Sequence, residues 1–65
     1  MTTTANFSDS VFDYINTQYG KNTLTTVKSE KNRSTVDRLI ESSSNQENDV
    51  AHAANKIIAM LRINP

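Results

Sequence analysis

The stretch DVAHAANKIIAMLRI, residues 49–63, decides the fold. Val50, Ala53, Ala54, Ile57 and Leu61 recur at the i, i+3, i+4, i+7 spacing of an α-helix with one apolar face. Asn48 or Asp49, just ahead of the run, offers a side-chain oxygen to first-turn amides that have no partner within the helix. The helix is expected to run to about Ile63, before Pro65. Its polar residues His52, Asn55, Lys56 and Arg62 crowd onto one narrow stripe, and apolar side chains take the rest of the circumference. That arc is about twice the ~100° needed to pack on a single neighbour. Two readings account for the excess. Either the chain's own core surrounds this helix on two sides, or Ala51, Ile58 and Met60 meet another chain.

Working back from this element, residues 42–48 (SSSNQEN) hold no apolar side chain and read as a linker. Residues 22–43 are expected to be helical, with Leu24 and Val27 as one apolar step and Val36, Leu39 and Ile40 as another. The polar run Lys28–Thr35 between them leaves two alternatives. One is a continuous amphipathic helix. The other is a break near Asn32, with Ser34 capping a new helix and Asp37 three residues on, close to a capping box. Thr23, Thr25 and Thr26 have mediocre helix propensity and would also suit a strand, but no second strand exists to pair with one.

A first helix is expected from about Ser8, with Ser8 and Asp9 as caps, to Tyr19. Phe7, Val11, Tyr14, Ile15 and Tyr19 form its stripe, and Gly20, the only glycine, stands where a helix end favours positive φ. Residues 1–6 read as a disordered tail, and residues 7–65 as a single helical domain. The fold class is therefore all-α, with two or three short helices forming a hairpin or small bundle. A 65-residue chain buries only about 60% of the surface its unfolded form exposes, so its stability is marginal. Without cysteine it has no disulfide, and its single histidine makes a structural zinc site improbable. Completion by dimerisation or by a partner is therefore expected.

Composition narrows function by elimination. With no cysteine nucleophile, one glycine and a single histidine on a polar stripe, the chain offers no nucleophile elbow, phosphate loop or catalytic dyad. Asp9 and Asp13 read as helix-start acids rather than a catalytic pair. The expectation is a non-enzyme with no cofactor, metal or small-molecule substrate. Residues 1–6 are polar and lack the basic and apolar parts of a secretory signal. No window approaches the apolar length of a membrane span, and the lack of cysteine suits a reducing compartment. A cytoplasmic location is expected.

Seven basic and seven acidic residues give a formal charge of zero, which disfavours strong sequence-independent nucleic-acid binding. Binding to another protein, or to a second copy as a homodimer, is the leading expectation. Ala51, Ile58 and Met60 would be the contacts on the last helix. Phe12, which lies off the stripe of the first helix, is a further anchor. A small regulator or inhibitor working in this way would use helix-in-groove recognition. The alternative is a small dimeric DNA-binding regulator. Residues 21–38 hold five basic side chains against two acidic ones. Lys28, Lys31, Arg33 and Arg38, interleaved with Asn32, Ser34 and Thr35, are its candidate contacts. In outline, the helix, polar loop and helix of Val36 to Leu61 resemble the C-terminal part of flagellar anti-sigma factors and small enterobacterial connector proteins of two-component regulation. Ser43 and Ser44 stand where the anti-sigma pattern has glycine, so no residue role is carried over.

Overall fold

A computed structural model describes residues 4–46 and 49–62 of the chain. Among the described residues there are four helices and no strand: α1 (Thr4–Tyr19), α2 (Lys21–Val27), α3 (Glu30–Gln46) and α4 (Val50–Leu61). The all-α class is as expected, but the helices number four rather than two or three. The Cα radius of gyration is 10.6 Å, against ~10.7 Å for a compact domain of this length.

α1 begins at Thr4 rather than near Ser8, so residues 4–6 of the expected tail are helical and Ser8 and Asp9 lie inside the helix. The earlier start places Phe7 on the same face as Val11 and Ile15, and these three side chains are almost wholly buried. Tyr14 and Tyr19 flank them, partly buried. Residues 1–3 lie outside the described part.

Gly20 ends α1 and opens α2. Its amide donates to the carbonyl of Asn16 at 3.1 Å, and its own carbonyl accepts from the Leu24 amide at 3.1 Å. Positive φ is found here as the sequence suggested, but φ 99° with ψ 165° lies in a region open essentially to glycine alone. α2 is helical despite its threonines. Thr25 and Thr26 turn their hydroxyls back onto the carbonyls of Lys21 and Asn22, which absorbs the hydroxyl locally. Thr23 is buried.

The segment is broken into two helices, as one alternative had it, but the break falls at Lys28–Ser29 rather than near Asn32. Ser34 lies within α3 and caps nothing. The carbonyl of Thr26 draws the chain round: it accepts from the Ser29 amide (3.1 Å), the Ser29 hydroxyl (2.7 Å) and the Asn32 side-chain amide (2.9 Å). These bonds use a carbonyl that the end of a seven-residue helix would otherwise leave without a partner.

α3 then extends through Gln46, so residues 42–46 of the expected linker are helical; residues 47 and 48 lie outside the described part. The reason is Ser43, three residues after Ile40 and seven after Val36, which continues the buried stripe as a small polar residue. Among the described residues, every buried side-chain nitrogen or oxygen has a hydrogen-bond partner.

Asp49 caps α4, its Oδ1 accepting from the His52 amide at 3.1 Å. α4 ends at Leu61, two residues before the expected end at Ile63, and Arg62 closes it in the left-handed region at φ 54°. α4 packs against α1, α3 and α2, and Ala53, Ala54, Ile57 and Ile58 are buried there. Ile58 is 8% exposed and belongs to the core cluster. Its expected place on an outward interface is thereby corrected. Three helices pack against α4 and cover most of its wide apolar arc.

Two stability predictions follow from this packing. Nothing lies within 4 Å of a Cβ built at Gly20, so the cost of Gly20→Ala is backbone strain alone, about 1–3 kcal/mol; urea unfolding measures it. Ile58→Ala should cost about 2–5 kcal/mol through cavity formation. Met60→Ala, at an exposed site, should stay within about 0.5 kcal/mol of the parent chain. Equal effects of these two in thermal unfolding followed by circular dichroism would contradict the placement of Ile58.

Candidate functional site

The residues singled out in the sequence do not converge on one surface. On α4, Ala51 is half-buried and Met60 is 60% exposed. Met60 is the one large hydrophobic side chain strongly exposed among the described residues. With Ile58 in the core, α4 presents Met60 and the small Ala59 outward rather than a continuous apolar face.

Phe12 sits elsewhere. It is half-buried, packs against the core and edges an open groove of about 540 Å³. Val27 at the end of α2 and Val36 of α3 line the apolar part of that groove. Its polar part is formed by Lys28, Glu30, Arg33 and Asp37. The ammonium of Lys28 stands 5.3 Å from the centroid of the Phe12 ring, a cation–π contact worth roughly 0.5–1 kcal/mol at an exposed site. This contact is possible because α2 ends at Val27, which puts Lys28 in the turn facing α1 rather than on a helix with Lys31.

The four basic candidates thus fall into two pairs. Lys28 and Arg33 line the groove. On α3, Arg33 follows Glu30 by three residues and precedes Asp37 by four, the spacings at which helix side chains are neighbours. Two carboxylates therefore flank this guanidinium and offset its field. Lys31 and Arg38 are exposed on α3 and are not among the groove's lining residues. The turn at Lys28–Ser29 takes Lys28 off the helix that carries Lys31, Arg33 and Arg38, so the four candidate contacts do not share one helix.

The groove combines an aromatic ring, aliphatic surface and charged groups of both signs. Sequence reasoning found Phe12, Lys28 and Arg33 but missed that they share a groove, along with Glu30, Asp37, Val27 and Val36. No signal in the residue pattern linked the first helix to the start of α3. His52 is exposed and Asp49 is committed to capping. Tyr19 donates its hydroxyl to Asn55 Oδ1 at 2.7 Å, tying α1 to α4. Among the described residues, no three or more His, Cys, Asp or Glu side chains gather to hold a metal ion, and no helix is long and apolar enough to cross a membrane.

No protein-family model matches this chain, and no match was found among curated proteins or solved structures. The outline resemblance of residues 36–61 to anti-sigma and connector proteins gains no support from these comparisons.

Proposed function

We propose that this chain is a small regulatory or inhibitory protein that acts by binding another protein and runs no reaction of its own. The observation that carries the reading is the groove beside Phe12, where a half-buried aromatic ring borders aliphatic surface and a charged rim. Protein interfaces have this anatomy, with aromatic and Arg side chains enriched at an apolar centre and polar groups at the edge. The contact surface proposed here therefore lies between α1 and the start of α3, not on α4. Met60 remains an exposed α4 side chain that a partner could also touch. The absence of cysteine, which suits a reducing compartment, is the support for a cytoplasmic setting.

The test uses the immobilised full chain to capture proteins from cells, with three variants in parallel. Phe12→Ala and Arg33→Ala should each lose the captured partner, with affinity falling about thirtyfold where a hot-spot side chain worth ~2 kcal/mol is removed. Circular dichroism of both should match the parent chain. Met60→Ala should retain the partner. Loss on Met60→Ala alone would move the contact surface to α4, and retention by all three variants would remove the groove from the proposal. Sedimentation equilibrium of the same proteins identifies the homodimer case: a dimer that Phe12→Ala dissociates has a second copy as its partner.

A further inference from the structure

Lys28 is fixed by its backbone, whereas its charge is held only by a ring. Its amide donates to the Leu24 carbonyl at 2.9 Å, and Val27 before it is buried. The side chain is exposed. Among the described residues its ammonium makes no ion pair or hydrogen bond, and it stands 5.3 Å from the centroid of the Phe12 ring. A contact of that kind at an exposed site shifts a population only about two- to fivefold. The ammonium can therefore swing off the ring while the turn at Lys28–Ser29 stays as it is. The surroundings of the ring are rich in carboxylates. α1, which bears Phe12, carries Asp9 and Asp13 and no basic residue. Asp9 precedes Phe12 by three residues, a spacing that makes the two neighbours on the helix surface. Glu30 and Asp37 line the groove and are exposed. Among the described residues neither carboxylate accepts a hydrogen bond or an ion pair.

We propose that the face of Phe12 in the groove is a seat for a cationic side chain, an arginine or lysine from a basic segment of the protein partner, and that Lys28 fills this seat in the free chain. The proposal rests on the reading of the groove as the contact surface and names the chemistry of what enters it. The free chain itself shows the seat holding a cation. A phenylalanine face has no hydrogen-bonding atom, and its quadrupole attracts positive charge. Glu30 and Asp37 in the lining and Asp9 beside the ring supply counter-charge for a further cation, against Lys28 and Arg33 as the cations of the lining. An acidic partner segment would meet those carboxylates and be repelled. An uncharged anchor would draw nothing from them, and it would take from Lys28 a ring contact that nothing replaces. A cation from the partner instead exchanges one cation–π contact for another. Lys28 is then a built-in competitor for the seat, and its loss strengthens binding.

Proton NMR of the full chain tests the proposal, with the Phe12 ring and the Lys28 Hε protons as reporters. The chain is titrated at low salt with the blocked peptide acetyl-Gly-Arg-Gly-amide and, in parallel, with its glutamate counterpart. Before any addition, the ring current of Phe12 should hold the Lys28 Hε signal upfield of those of Lys21, Lys31 and Lys56. The arginine peptide should shift the Phe12 ring signals to saturation and return Lys28 Hε to the position of the other lysines. The glutamate peptide should do neither. Lys28→Met removes the competing charge and keeps an apolar stem, and it should bind the arginine peptide about two- to fivefold more tightly. Phe12→Leu keeps apolar bulk without the ring, and it should lose the response with an unchanged circular dichroism spectrum. Three results would overturn the proposal: no saturable shift with the arginine peptide, equal displacement of Lys28 by the glutamate peptide, or weaker binding by Lys28→Met. If the titration fails while Phe12→Ala still loses the captured partner, the cation seat falls and the groove stands. If Phe12→Ala retains that partner, the groove falls, and the seat with it.

Discussion

Burial of α4 among the other three helices is the constraint on which the rest of the structure depends. A chain of this size without cysteine has no disulfide to supplement its core, so its stability leans on apolar packing. Among the described residues, α4 supplies four of the ten buried hydrophobic ones, two of them alanines. Alanine has no side chain beyond Cβ, so neighbouring helices can approach α4 closely where a larger residue would hold them off. Phe7, Val11 and Ile15 from α1, Val27 from α2, and Val36 and Ile40 from α3 complete the cluster around it. The arc of α4 is wide because it has three intramolecular neighbours, in line with the reading in which the chain's own core surrounds this helix.

Much of the architecture is legible in the sequence because it rests on periodicity. The stripes of α1 and α4, the positive φ at Gly20 and the cap at Asp49 all follow from residue spacing and elementary backbone sterics. What was illegible depended on hydrogen bonds that no pattern announces. Residues 42–46 look like a linker because they hold no apolar side chain, yet Ser43 is small enough to be buried as part of the α3 stripe. The turn at Lys28–Ser29 turns on one carbonyl collecting three donors, and neither Ser29 nor Asn32 signals that role by its spacing from the apolar residues.

The candidate site was less legible than the fold, for a related reason. Phe12 stood out as an aromatic off its stripe, and Lys28 and Arg33 as members of a basic segment. Their meeting depends on where α2 stops. Had the helix continued through Ser29, Lys28 would have joined Lys31 on one helical face, and the groove would have lost the cation that stands over Phe12. A shift of a few residues in a helix boundary thus decides whether Lys28 stands on one helix face with Lys31 or over the Phe12 ring. Boundaries are set at helix ends, where side-chain capping and backbone hydrogen bonds compete on nearly equal terms.

The connections around the groove are very short: one residue, Gly20, joins α1 to α2, and two, Lys28 and Ser29, join α2 to α3. Each is tied by backbone hydrogen bonds, and the second by side-chain bonds as well. The three helices that shape the groove therefore have little slack with which to move relative to one another. A ligand entering it meets walls that are already in place, and the loss of conformational freedom on binding falls on the ends of Lys28, Glu30, Arg33 and Asp37 rather than on the backbone. Such a surface discriminates by shape, because it cannot remould itself around a poorly fitting partner.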